Sequence, residues 1–349
     1  MTRERAGAER PGTLVTVAVV AALVAALVGI AVLTRDDGSR GTAPTASPSA
    51  SPSVPDARRE AERIATMAPS EVAAEGVEAR PPVAPPGAKD LAEAAEEAAA
   101  ARPYSFVITT FNVLGSQHSA PGGAASGFAD GRVRTQWAAG LIASYGSDIV
   151  GFGEMQADQY AAMTAAAPGY TFYPGTSLGR GGVPTNVMWK SDVWESTYQT
   201  SVTVPFMDST RPMPIVRLRH RDTGRELYVM NVHNSPRDAR GREDERDRAE
   251  AIEIATVNTL AEDGIPIVLV GDFNEHAEIF CRITAQTPLV AASGGSHDGA
   301  CRPPSTMRVD WIFGSRELEF TGFRIDTSPT VRRITDHAVL TAAVTVPVP

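Results

Sequence analysis

The sequence predicts an α/β fold with two β-sheets packed together, set behind one transmembrane helix and a disordered linker. Three observations carry this expectation. From Tyr104 onward, short apolar or alternating runs of strand length outnumber helical patterns and follow one another in succession. Helical spacing falls between some of them, the arrangement of a layered α/β domain. The first hundred residues have neither texture: an uncharged apolar run is followed by chain rich in Pro, Ala, Ser and Glu.

In chain order, residues 1–12 carry Arg3, Arg5 and Arg10 against Glu4 and Glu9. Thr13 to Leu33 holds 21 residues without a charge, which as a helix would span about 31 Å, the thickness of a bilayer core. A cleavable signal peptide is the alternative. Its apolar region is usually about 7–15 residues, and Thr34-Arg35-Asp36-Asp37 offers no small-x-small cleavage site. The leading arginines favour an N-terminus inside the cell. Residues 34–102 read as a linker, with too little apolar surface to fold. The pieces 56–67 and 89–101 have helix propensity but almost no large apolar face. Pro81, Pro82, Pro85 and Pro86 make a stiff spacer between them. The expectation is a single-pass protein of the cell membrane with residues 103–349 extracytoplasmic.

Within 103–349, Ser105–Val113 reads as a strand ending at Asn112, Arg132–Tyr145 as a helix, and Asp148–Phe152 as a buried strand delivering Glu154. Segments 170–173, 185–190, 196–204, 215–220 and 226–233 read as sheet strands. Arg246–Leu260 reads as an amphipathic helix with Ala249, Ile252, Ala255, Val257 and Leu260 near one face. After it come a strand at 265–270, a short helix at 276–284, and strands at 309–313, 320–325 and 338–346.

Composition limits the function classes. The chain has 349 residues and a formal net charge of −9, and residues 103–349 hold 21 Lys/Arg against 27 Asp/Glu. A domain that binds nucleic acid by blanketing phosphates is usually basic, so the charge argues against tight, nonspecific nucleic-acid binding. An acidic domain can still hold phosphate through a divalent cation. The only cysteines are Cys281 and Cys301. They read as a disulfide in an oxidising compartment and as free thiols in a reducing one.

The chemistry centres on Ile265–Glu275, where the apolar run Ile265–Val270 leads through Gly271 to Asp272 and Asn274. Along an extended chain, residues two apart share a side. A turn with an Asx cap is the alternative. Four further strings follow the same logic of a polar residue at an apolar strand end: Thr-Phe-Asn-Val with Asn112, Asp-Ile-Val-Gly-Phe-Gly-Glu with Glu154, Asn-Val-His-Asn with His233, and Arg-Val-Asp-Trp-Ile with Asp310, which leads on to Thr-Asp-His-Ala-Val with Asp336 and His337. Carboxylates left unpartnered at such ends are costly. Without free thiols they suit a hard, oxygen-seeking cation, Mg²⁺ or else Mn²⁺ or Ca²⁺.

These five strings, in this order, resemble the endonuclease/exonuclease/phosphatase superfamily over residues 104–346. The resemblance implies a four-layer sandwich of two packed mixed β-sheets flanked by helices, and phosphodiester hydrolysis. It implies that Glu154, Asn112 and Asp336 serve the metal, and that His337 is the catalytic imidazole with Asp310 fixing its tautomer. Asp272 would orient and deprotonate the water, Asn274 would hold the phosphate, and His233 would donate to a phosphate or leaving-group oxygen. The division of proton transfer between Asp272 and His337 stays open. Asn186, Arg132, Arg134 and Arg180 are candidate phosphate contacts. Gly153 stands where many relatives have Gln. His118, His220, His276 and His297 belong to no motif and read as surface or loop residues, and Arg237–Arg248, interleaved with carboxylates, as a solvated charged turn.

DNA or RNA is the favoured substrate, with a lipid headgroup or small phosphoester as the alternative and a non-catalytic surface binding protein as the reading from another class. The membrane is met through the N-terminal helix, and no protein partner is implied.

Overall fold

The computed structural model describes residues 88–348. The expected N-terminal segment 1–12, the 13–33 anchor and the linker up to residue 87 lie outside the described residues. Among the described residues, no helix is long and apolar enough to cross a membrane.

The described chain opens with helix α1 (Ala88–Ala100), almost entirely exposed, then strand β1 (Tyr104–Asn112) and the single turn α2 (Ser116–Ser119). Helix α3 (Gly131–Tyr145), β2 (Ile149–Gly153), α4 (Ala157–Ala166), β3 (Tyr170–Tyr173) and β4 (Asn186–Lys190) follow. Next come β5 (Trp194–Phe206), β6 (Ser209–His220), β7 (Glu226–His233), α5 (Glu243–Ala261), β8 (Ile267–Asp272) and α6 (Ala277–Gln286). The last part holds β9 (Leu289–Ala291), the two-residue pair β10 (Ser296–His297) and β11 (Cys301–Arg302), β12 (Asp310–Ser315), β13 (Glu319–Asp326), α7 (Val331–Ile334) and β14 (Val339–Val346).

The strands form two six-stranded sheets, in the orders β13-β14-β1-β2-β4-β3 and β5-β6-β7-β8-β12-β9. Both are mixed: β1–β2 and β7–β8 are parallel, and the other pairs are antiparallel. Alternation sends one face of each sheet to a shared core. Ile108, Ile149 and Leu340 from the first sheet meet Val229, Val268, Val270 and Ile312 from the second. The outer face of the second sheet (Leu269, Phe313) packs on α5 and α6, and that of the first (Phe111, Phe152, Val339) on α3, α4 and α7. Burial on both faces is why the central strands read as continuous apolar runs.

Three expectations change. The 265–270 strand starts at Ile267 and runs through Gly271 to Asp272. Gly271 has φ 141°, and a Cβ there would lie 2.0 Å from the Val232 carbonyl oxygen, so the strand needs glycine at this position. The 215–220 strand begins at Ser209, since Met207 and Asp208 (φ 48° and 61°) close a tight hairpin with β5. Pro212 and Pro214 fit because β7 pairs only with Ile215–Arg219, so no third strand needs their missing N–H. On α5 Ala249 and Val257 are buried as expected and Ile252 and Leu260 pack half-buried beside them, but Ala255 is exposed and the buried stripe also takes in Arg246, Glu250, Glu253 and Ile254. Two buried carboxylates conceal that stripe from a reading of apolar period.

Candidate active site

The sheet register sets the site. His233, Asp272 and Asp310 are direct cross-strand partners at one end of the second sheet, in the order β7-β8-β12. At the same end of the first sheet, Asn112 pairs with Gly153, the residue before Glu154, and His337 lies two residues ahead of β14. The two sheets therefore bring residues far apart in sequence to one edge. Asn231 binds them together beneath it, donating from Nδ2 to the carbonyls of Phe152 (2.8 Å) and Asn186 (2.9 Å).

Asp272 is the hub. Its Oδ2 accepts from Asn112 Nδ2 at 3.1 Å and lies 3.6 Å from His233 Nε2 and 3.7 Å from His337 Nε2. Its Oδ1 accepts from the backbone N of Asn274 at 2.9 Å. Asn274 is left-handed (φ 54°) and donates through Nδ2 to the Asn234 carbonyl at 2.9 Å. The Asx turn is thus realised, and strand alternation stops at Asp272 instead of carrying Asn274 to the same side.

Asn112 Nδ2 also donates to Glu154 Oε1 at 3.0 Å, so two carboxylates take its two hydrogens. Glu154 Oε2 accepts from the Gly115 N–H at 3.1 Å. Glu154 (φ 62°) and Leu114 (φ 53°), like Asn274, hold left-handed backbone uncommon for side-chain-bearing residues. Such backbone concentrates at functional sites.

The two imidazoles are set oppositely. His337 Nδ1 lies 2.9 Å from Asp310 Oδ2, which fixes the proton on Nδ1. His233 Nδ1 lies 3.2 Å from the Arg211 guanidinium, a group that can only donate, so His233 accepts there and carries its proton on Nε2, facing Asp272. Arg211 stacks on Phe206, its Cζ 3.4 Å from the ring centroid.

The electrostatics follow. Burial would lower the His337 pKa, but Asp310, Asp272 and Asp336 outweigh it and raise it to about 10. Burial and the Arg211 charge push His233 down to about 3, so its ring is neutral. Burial and the neighbouring Asp310 raise Asp272 to about 7. Burial alone would raise Glu154, and hydrogen bonds from the Asn112 amide and the Gly115 N–H favour its ionised form, leaving the pKa lowered. Burial lowers Arg211 to about 10, against Glu154 and Asp272.

A family model described as the Endonuclease/Exonuclease/phosphatase family matches residues 109–337. The chain belongs to this family. Its members are divalent-metal-dependent phosphoester hydrolases, and this chain is an enzyme of that class. No curated protein sequence matches the chain significantly. Solved structures share the fold. An endonuclease/exonuclease/phosphatase family protein from Bacteroides thetaiotaomicron aligns with TM-score 0.57 at 16% identity, over 71% of this chain and 100% of that one. A mannosyl-6-phosphatase from the same species gives 0.56 at 17%, over 68% and 99%. D. rerio TDP2 complexed with a single-stranded DNA product gives 0.54 at 15%, over 69% and 98%.

Among members of the endonuclease/exonuclease/phosphatase family the metal is a divalent cation, and the donors here fit one. Glu154, kept ionised by the Asn112 amide and the Gly115 N–H, stands at the same edge as a second acidic group, Asp272 and Asp310 with His337, whose ligand atoms fall within 4.8 Å of one another, and the cysteines are bonded to each other. Oxygen donors of this kind suit a hard cation. Glu154 and Asn112 are joined directly, whereas Asp336 is exposed on the segment leading into His337.

The weaker candidates separate from the cluster. Asn186 is fully buried, accepting from Gly175 N at 2.7 Å and donating to the Val183 carbonyl at 2.8 Å. Arg132 is exposed and paired with Asp130 at 3.8 Å, and Arg180 is exposed. Arg134 is no phosphate contact. It is fully buried, and its guanidinium donates to the carbonyls of Ala129, Val113, Leu114 and Ile334, tying the β1 exit loop to α7. Cys281 and Cys301 form a disulfide with Cα atoms 5.5 Å apart.

Two site residues escaped the sequence reading. Arg211 sits between two prolines' worth of irregular pattern, with no motif to mark it. His118, read as a loop residue, has Nε2 3.4 Å from Glu154 Oε2; a Gly-rich loop gave no period to place it. His220, also read as surface, is buried and stacked on Tyr104 with ring centroids 4.6 Å apart. The Arg237–Arg248 run, expected to be a solvated charged turn, is paired but solvated only in part: exposed Arg237 and Arg240 hold Glu275 and Asp208, whereas Arg242, which holds Asp238 and Glu245, and Arg246, which holds Glu275, are buried.

Proposed function

We propose that this enzyme hydrolyses phosphodiesters with Mg²⁺, favours polynucleotides, and works outside the cytoplasm on a membrane tether formed by residues 13–33. The observation that carries the reading is the convergence of Asp272, His233, His337–Asp310 and Asn112–Glu154 on one edge, with two histidines in opposite protonation states. A cation held by Glu154, with Asn112 and Asp336, would neutralise charge on the phosphoryl oxygens. Asp272, raised to about 7, is matched to taking a proton from an attacking water near neutral pH. The His337 cation, supported by Asp310, supplies a charge and a proton at Nε2 for the developing oxyanion or leaving oxygen. Neutral His233 donates from Nε2 and removes no proton.

The polynucleotide preference is supported by loop chemistry. A lipid phosphodiesterase would need an apolar loop tip. Among the described residues the large exposed hydrophobics are only Val133, Leu178, Tyr198, Met207 and Val348, scattered over separate segments. The disulfide and the apolar 13–33 run support the extracytoplasmic placement. Full-length protein with Mg²⁺ should cleave plasmid DNA, RNA and bis(p-nitrophenyl) phosphate. Cleavage of choline phospholipid vesicles with both nucleic acids left intact would overturn the substrate reading.

A further inference from the structure

Arg308, Arg332 and Arg333 differ from most other arginines of this acidic domain. Among the described residues the ion pairs engage arginines all around the molecule, but none engages these three, and all three are exposed. They lie together beside His337. A depression of about 370 Å³ is lined by His337, Asp336, Arg308, Arg332 and Phe128. Phe128 and Arg332 also line a second, of about 440 Å³, which adds Trp137 and Arg333. Trp137 and Arg333 in turn line a third, of about 490 Å³, along α3. Shared walls make the three one groove leading away from the catalytic imidazole.

The groove's two ingredients recur in order: cations free of carboxylates, and half-buried aromatic rings. Arg333 Cζ lies 4.6 Å from the Trp137 ring centroid, a guanidinium–indole pair presenting a flat cationic surface. Free cations follow a phosphate backbone, and rings beside them accept unstacked bases of any sequence. Paired bases in a duplex have no face free for stacking. Asp336 is the one carboxylate lining the groove, at its catalytic end, where the metal-side residues belong.

Resting on the polynucleotide reading above, we propose that this groove binds a single-stranded segment next to the scissile phosphate, so the enzyme prefers single-stranded over duplex substrate. Arg308 and Arg332 hold phosphates, and Phe128 and the Trp137–Arg333 pair carry bases.

The indole gives a direct readout. Trp189, Trp194 and Trp311 are buried, so Trp137 is the tryptophan a ligand in the groove would reach. Oligothymidylate added to full-length His337→Ala enzyme should quench tryptophan emission, and Trp137→Phe should abolish the quench. In enzyme with His337 intact, Arg308→Ala/Arg332→Ala and Phe128→Ala should each weaken single-strand binding about 5- to 100-fold, the range of one lost stack. They should lower kcat/KM for oligonucleotides at least tenfold more than for bis(p-nitrophenyl) phosphate. The double variant should also flatten the slope of log K against log salt by about 1.4, two phosphates' worth on a single strand, and Arg332→Lys should restore its share. Equal cleavage of single-stranded and duplex DNA by the native enzyme, or quenching by phospholipid vesicles and not by oligothymidylate, overturns the groove assignment. If the native enzyme cleaves neither DNA nor RNA, the polynucleotide reading itself fails.

Discussion

His337 Nδ1 and Asp310 Oδ2 stand 2.9 Å apart, and the other Asp310 oxygen is buried without a partner. Asp310 thus holds the His337 tautomer and stabilises its cation, while its charge also raises the neighbouring Asp272. Asp310→Asn should keep the ring in place yet cost nearly as much kcat as His337→Ala, on the order of 10²–10⁴-fold. The double variant should be little worse than either single, because the residues act as a unit. Multiplicative losses in steady-state kinetics would show that they act separately.

Glu154 tests the metal side. Its two oxygens accept from Asn112 Nδ2 and Gly115 N at 3.0 and 3.1 Å, and a glutamine of the same shape keeps the one that meets its carbonyl oxygen. Glu154→Gln should therefore fold normally and raise the Mg²⁺ concentration for half-maximal activity tenfold or more, since a neutral amide is a poor Mg²⁺ ligand. Full activity at limiting Mg²⁺ would remove Glu154 from the ligand set.

The candidate catalytic edge was legible in the sequence wherever a polar residue ended an apolar strand. Asp272, Asp310, His233 and Asn112 all stand at strand ends and meet through register. The residues that were not legible act through tertiary approach. Arg211 reaches His233 from the half of β6 that pairs with β5 but not with β7, His118 reaches Glu154 from a loop, and Arg134 is swallowed beneath the site with no local pattern to announce it. The same holds for the helices. Gly131–Tyr145 was read within a residue, whereas Ala157–Ala166, nearly all small residues, showed no apolar stripe. Hidden carboxylates misled the reading of α5 for a related reason: burial on that face follows geometry, not hydrophobicity.

One of those carboxylates has a pH signature. Glu253 is fully buried, its Oε2 accepts from Asn234 Nδ2 at 3.2 Å, and its Oε1 has no partner. Burial raises its pKa from 4.5 to about 8. The folded state then holds the proton more tightly than the unfolded state. Its contribution to stability is present at low pH and lost as pH rises from about 4.5 to about 8, by several kcal/mol. Glu253→Gln removes the titration. Thermal unfolding should show the variant more stable than the native protein at pH 8–9 and similar to it below pH 5. A stability difference between native protein and variant that stays constant from pH 5 to pH 9 would mean that burial does not raise the Glu253 pKa.

The disulfide joins α6 to β11 across 20 residues of chain. Closing a loop of that length contributes about 3 kcal/mol by restricting the unfolded chain. Denatured, unreduced protein should show no reactive thiol. Cys281→Ser/Cys301→Ser should lower the unfolding midpoint by roughly 5–10 °C. Two titratable thiols in protein isolated from its native compartment would show that the pair is reduced there.

Arg211 gives the most discriminating test, because it acts both on His233 and toward the site. Its guanidinium lies 3.2 Å from His233 Nδ1, and its charge is felt by Glu154 and Asp272. Burial together with this charge keeps His233 neutral, down at about 3. In the native enzyme His233 therefore adds no ionisation to the kcat/KM profile between pH 5 and 8. Arg211→Met should lower kcat by about 10²–10³-fold, as for loss of one preorganised donor at a developing charge. With the cation gone, the His233 pKa should move up toward its ordinary value and its ring should sample both tautomers. A second ionisation should then enter the acid limb of the profile, because protonated His233 places a second cation beside His337. Arg211→Lys should keep part of the charge effect but not the stack on Phe206, and fall between the two. An unchanged pH profile in Arg211→Met, with only KM affected, would reduce Arg211 to a substrate contact and leave the His233 tautomer to burial alone.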